Sequence, residues 1–324
     1  MRIVKRTILL LGLALAVAAA PLDACGPYGD LDPNTIKFPG IAQFGRLRGN
    51  QLLCSNDAGR IIVVDLKRRK TFDLGKQDGK RWFDGDVADG QAMMLAGDRL
   101  QVVALNGGKL VREIVVGTDP VWSYGFAGKG RAFVHRGLSV SILELATGKT
   151  LHTLKLGDDD SRRRFSAAWQ LVGSRLYLPG PATTLCVIDV ETGKLENRFA
   201  VDSRAGISAL HVFGNEVYCL GSPSGWGARI DHVTVLDLET KKTRSFDLPR
   251  VVRRNGQFAN APFGTVYLTT GDRIDRFTEV GEHLSTFTTP NKEAVLAVWN
   301  YRAVVAGKDR IRLIEIKETQ VTRK

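Results

Sequence analysis

Hydrophobic runs return along this chain at a spacing of about 42 residues, inside the range of a β-propeller blade. The most regular element reads RIIVVDL (60–66), RLQVVAL (99–105), LSVSILEL (138–145), TTLCVIDV (183–190), HVTVLDL (232–238), DRIDRFTE (272–279) and RIRLIEI (310–316), with starts 39, 39, 45, 49, 40 and 38 residues apart. Each run alternates or is β-branched, as a strand with a buried face requires. Most end in a polar turn: KRRK (67–70), NGGK (106–109), ATGK (146–149), ETGK (191–194) or ETKK (239–242). Gly and Asn accept the positive φ of such turns at little steric cost. Outer strands follow as KTFDL, KLVREIVV, TLHTLKL, KLENRFAV and KTRSFDL.

Two further elements recur upstream of each run. QLLCSN, QAMMLAG, RAFVHRG, RLYLPG, EVYCLG, TVYLTTG and YRAVVAG hold the place of a second strand. Before them lie the small-residue segments IAQFGRL, WFDGDVA, VWSYGFA, FSAAWQL, GISALHV, GQFANAP and AVLAVWN, suited to an innermost strand where blades crowd at the axis. Four strands in each of seven units predict an all-β, seven-bladed propeller of four-stranded blades. A β-sandwich array, or six or eight blades, are the alternatives the same pattern leaves open. The propeller domain is read as 38–324, preceded by a tether at 25–37. Ring closure has two candidates: the tail QVTRK as the last outer strand, or the segment Thr35 to Phe38 in that place. Either removes exposed sheet edges.

The first 24 residues read as a targeting segment. Arg2, Lys5 and Arg6 precede an apolar run from Ile8 to Ala20, too short for a comfortable membrane span. Leu22-Asp23-Ala24-Cys25 resembles a bacterial lipobox, with Asp23 departing from the pattern. The resemblance implies a lipid on Cys25, expected as the only contact of the chain with a membrane; plain secretion, periplasmic release or a retained anchor are the alternatives. The expected location is exported, periplasmic or anchored to the envelope. Cys54, Cys186 and Cys219 fall in predicted strands of different units and are expected as small buried thiols, not disulfides. No C-x-x-C or paired His suggests a metal.

The chain carries +12 formally, and +10 once residues 1–24, with three cations and one anion, are removed. That charge favours an acidic protein or anionic glycan as partner, and an exported protein rarely meets nucleic acid. Loops between blades share one face with the turns joining second and third strands. That face should gather Trp82, Trp122, Arg162, Arg163, Arg164, Trp226, Arg253 and Arg254, a pairing of tryptophan and arginine favoured at binding hot spots. The competing reading packs Trp82 and Trp122 between blades and leaves the arginines solvated. Arg60, Arg99, Arg273 and Arg310 recur at the starts of third strands and would form part of a ring.

Catalytic patterns are weak. His135, His152, His211, His232 and His283 are scattered, GSPSGWG around Ser224 lacks the spacing of a nucleophile elbow, and Asp158 to Asp160 form a lone acidic run. SILELATGKTLHTL and CVIDVETGKLENRF resemble repeats of the PQQ-like and YVTN-type propellers. Those families hold enzymes and scaffolds alike, so the resemblance implies a fold. The Trp that quinoprotein repeats carry after this turn is replaced here by His152 and Leu154, or Asn197 and Phe199. No quinone cofactor is therefore expected. The function expected is non-catalytic binding or scaffolding at the bacterial cell envelope, with lipidation at Cys25. The alternative is a propeller enzyme, a lactonase, lyase or quinoprotein relative, working in the central channel.

Overall fold

The computed structural model describes residues 33–76, 85–157, 168–201, 207–221, 230–252, 256–317 and 319–320. Four sheets are plain four-stranded antiparallel meanders, and each is one blade. Blade 2 runs Gly85–Ala88, Gln91–Ala96, Arg99–Ala104, Leu110–Val115, and blade 3 runs Val121–Phe126, Arg131–Arg136, Ser139–Glu144, Thr150–Lys155. Blade 4 runs Gln170–Val172, Arg175–Pro179, Thr184–Asp189, Lys194–Ala200, and blade 5 runs Ile207–Phe213, Glu216–Gly221, Ile230–Asp237, Thr243–Val252. Blade 6 (Gln257–Asn260, Val266–Thr270, Arg273–Phe277, His283–Thr288) gains a fifth, outer strand from Thr319–Gln320.

Blades 1 and 7 share a six-stranded sheet, because two long strands each serve both or fold back. Thr35–Arg48 pairs through Thr35, Ile36 and Lys37 with Arg312, Ile311 and Arg310, then through Ala42 to Arg48 with Gln51–Asn56. Arg302–Glu315 pairs first with Val295–Trp299 and then with the start of Thr35–Arg48. Arg60–Asp65 and Lys70–Lys76 complete blade 1. The ring therefore closes with Thr35 to Phe38 as the outer strand of blade 7. Of the tail QVTRK only Gln320 lies among the described residues, and with Thr319 it pairs on blade 6. The compact unit begins at Asn34, so residues 35–37 belong to the propeller and not to a tether.

Second and third strands are buried almost throughout, since each blade is covered on both faces by its neighbours. Seven apolar clusters result, one per blade interface. The closing interface is built like the others: Ile36, Phe38, Val304, Ile311 and Leu313 pack with Leu52, Ile62 and Val64. Cys54, Cys186 and Cys219 are free thiols in these interfaces, and burial raises all three pKa values, that of Cys219 to about 12. Among the described residues no helix is long and apolar enough to cross a membrane.

Candidate functional site: the central channel

Innermost strands of six blades line a central cavity of about 790 Å³. Their small residues keep it open, and a few large side chains fill one side of it. Arg48, the last residue of its strand, reaches from blade 1 across two neighbours. It forms an ion pair with the fully buried Asp86 of blade 2, and both its Nη atoms donate to the Phe126 carbonyl of blade 3 at 3.3 Å. The Asp86 carboxylate accepts in turn from the Phe126 N–H at 2.7 Å. Burial raises the Asp86 pKa, opposed by Arg48, Arg46 and the N–H groups of Phe126 and Val87.

Trp169 of blade 4 covers this group. Its ring lies 4.8 Å from Phe133 edge-on, and the guanidinium groups of Arg46 and Arg48 sit 4.5 and 5.5 Å from its centroid. Cation–π attraction of this kind strengthens when desolvated. The ring fits because position 125 is glycine: a Cβ there would lie 2.3 Å from Trp169 Cζ2 and 2.9 Å from Asp86 Oδ2. The buried Trp169 indole N–H finds no acceptor among the described residues.

Amides complete the inner ring. The Val212 N–H donates to Gln170 Oε1 at 2.7 Å, and Gln257 Nε2 donates to the Gly45 carbonyl at 2.7 Å. His211 Nε2 lies 2.6 Å from Asn260 Oδ1, and burial lowers the His211 pKa against that hydrogen bond, favouring the neutral ring. The lining thus presents two guanidinium groups and one carboxylate, already engaged.

The predicted partner face is represented among the described residues by Trp122 alone, half-buried near the start of the blade 3 inner strand. Trp82, Arg162, Arg163, Arg164, Trp226, Arg253, Arg254 and Cys25 lie outside the described residues, as do Ser224 and Asp158 to Asp160. Of the arginines expected to form part of a ring on the loop face, Arg60 and Arg99 pair sideways with the outer strands, at 2.7 Å to Asp73 and 2.5 Å to Glu113. Asp275, His283 and Thr286 meet in blade 6, but the carboxylate and the hydroxyl both face His283 Nε2, at 3.3 and 3.1 Å. A proton relay needs the two on different ring nitrogens, so the trio ties strands together. Among the described residues no three His, Cys, Asp or Glu side chains gather as a metal site would require.

Sequence reasoning located the inner strands but missed Arg46, Arg48, Asp86 and Trp169 as a group. The available signal was formal charge in two innermost-strand segments, at Arg46 and Arg48 and at Asp84 and Asp86, where the other five segments carry no Asp, Glu, Lys or Arg.

No protein-family profile matches the chain, and no curated protein matches it. Among solved structures it is similar to the WD40 domain of Pan2 from Neurospora crassa, with 13% identity, a TM-score of 0.62, and coverage of 85% of this chain and 88% of that one. At that identity the likeness carries the β-propeller fold alone.

Proposed function

We propose that this protein is an exported binding propeller of the cell envelope that holds an acidic ligand or partner, its anionic group entering the channel beside Arg46 and Trp169. The observation that carries the reading is the buried Trp169 indole N–H, which lacks an acceptor among the described residues, beside the Arg46 guanidinium over the same ring; Arg48 is committed to Asp86. Donors converging in a cavity of this size suit a carboxylate-bearing chain. The loop face read from the sequence, with Trp82, Trp122, Arg162 to Arg164, Trp226, Arg253 and Arg254, would steer the same partner by charge.

The test is binding of a hexaglutamate peptide by the full chain, followed by tryptophan fluorescence, with hexaglutamine as the neutral comparison. Hexaglutamate should bind more tightly and weaken as salt rises, because the Debye length shrinks from about 10 Å at 0.1 M to about 3 Å at 1 M. Arg46→Gln and Trp169→Phe should weaken it through the channel, and Arg162, Arg163 and Arg164 to Ser through the loop face. Equal binding of the two peptides, or none, sinks the reading.

A further inference from the structure

One face of the propeller carries aromatic tips that the fold does not need. In a four-stranded meander the turns between first and second strands, and between third and fourth, emerge on the same side. On blade 6 the first of these turns holds Phe263, 96% exposed, with φ at 58°. The left-handed region is unfavourable for a bulky side chain, and such strain persists only where surroundings impose it. Here they do: Arg276 donates to the Pro262 carbonyl at 3.0 Å and to Thr265 Oγ1 at 2.8 Å, and Thr265 Oγ1 donates to the Pro262 carbonyl at 2.6 Å. A braced turn thus holds a phenyl ring out in solvent. Val280, 68% exposed, sits in the other turn of blade 6, and Tyr301, 55% exposed with φ at 59°, in the matching turn of blade 7.

Blade 1, next around the ring, puts the exposed cations Lys67, Arg68, Arg69 and Lys70 on this same side. Glu279 and Glu282 flank Val280, so the attraction to an anionic surface comes from blade 1 and the apolar contact from blades 6 and 7. The chain also enters the propeller on this side. Asn34 leads into the closing strand, its carbonyl accepts from the Leu313 N–H, and its side chain accepts from Arg302 at 3.3 Å, one residue from Tyr301. Cys25 lies only nine residues earlier and the apolar run 8–20 just before that, a reach of at most about 30 Å.

From these observations we infer that the turn face bearing Phe263, Val280, Tyr301 and Lys67 to Lys70 rests on an anionic lipid bilayer. The inference rests on the export reading above, in which the amino-terminal segment ties the chain to a membrane. Aromatic tips at the headgroup level with basic residues beside them are how proteins lie on membranes, and a single tether gains stability from such a second contact. The opposite, loop-bearing face is then left to the partner.

The experiment uses the full chain, with its own amino-terminal segment, in vesicles of phosphatidylcholine and phosphatidylglycerol whose acyl chains are brominated. Phe263→Trp places a fluorophore at the tip, and Ala58→Trp places one in an exposed turn on the opposite face. Subtracting the wild-type signal, position 263 should be quenched and position 58 should not. Changing Lys67, Arg68, Arg69 and Lys70 to Ser should bring the quenching at 263 down toward that at 58. A chain that floats with the vesicles yet shows no excess quenching at 263 overturns the inference, leaves the tether standing and assigns the patch to a protein partner. A chain that does not float overturns the tether and the inference together.

Discussion

The same chemical pair, arginine with a carboxylate, occurs at the axis and at the rim of this propeller in opposite settings. At the axis, Arg48 and the fully buried Asp86 meet between three blades, with backbone hydrogen bonds at both ends and Trp169 above. At the rim, Arg60 with Asp73, Arg99 with Glu113 and Arg175 with Glu196 lie exposed, each joining two strands of one blade. Water screens the rim pairs and competes for their hydrogen bonds. At the axis the Asp86 carboxylate is fully buried, so it depends on Arg48, and removal of either strands the other. Position, and not pairing, decides what the interaction does.

The contrast breaks most sharply at Asp86. Asp86→Ala leaves Arg48 partly buried without its carboxylate and should cost about 3–5 kcal/mol, read from the denaturant midpoint; a loss no larger than that of a rim variant would erase the distinction. Acid probes burial next. His135 is fully buried and its pKa is lowered to about 4 by desolvation, opposed by a backbone hydrogen bond at Gly137. A base with a depressed folded pKa leaves the unfolded chain to take up the proton first. Stability should therefore fall as pH drops from about 6.5 to about 4, by on the order of 3 kcal/mol, and a His135→Gln chain should show a flatter profile over that range. Sterics come third: Gly125→Ala drives a methyl into Trp169 and should cost about 1–3 kcal/mol, with altered tryptophan emission. At the rim, Arg60→Ser and Arg99→Ser should leave the unfolding midpoint unchanged within error, at low salt as at high.

The blades were legible because their strands obey a local rule. RIIVVDL and its six counterparts alternate or run apolar wherever a neighbour covers them, and that survives reading one chain segment at a time. The axis cluster was not, because Arg48, Asp86, Phe126 and Trp169 come from four blades and become neighbours only when the ring closes. Nothing at position 125 says locally that its missing side chain makes room for a tryptophan 44 residues onward. The arginines at the starts of third strands misled for the opposite reason: their spacing is regular, but a strand start on the rim faces its own hairpin partner, and Arg60 and Arg99 found carboxylates there. Closure was readable only as a choice, since Thr35 to Phe38 and the tail QVTRK were each able to add a strand.

The closing strand also sets a clock. Ile36 and Phe38 are among the first propeller residues to be made, yet Thr35 pairs with Arg312, 277 residues later. At roughly 5–20 residues per second, the opening segment waits on the order of tens of seconds for its partner. Until then blade 1 presents Leu52, Ile62 and Val64 without their final cover, the kind of apolar surface that holdase chaperones occupy. Ring closure thus joins segments 277 residues apart, and its loop entropy can be offset only once both have been made.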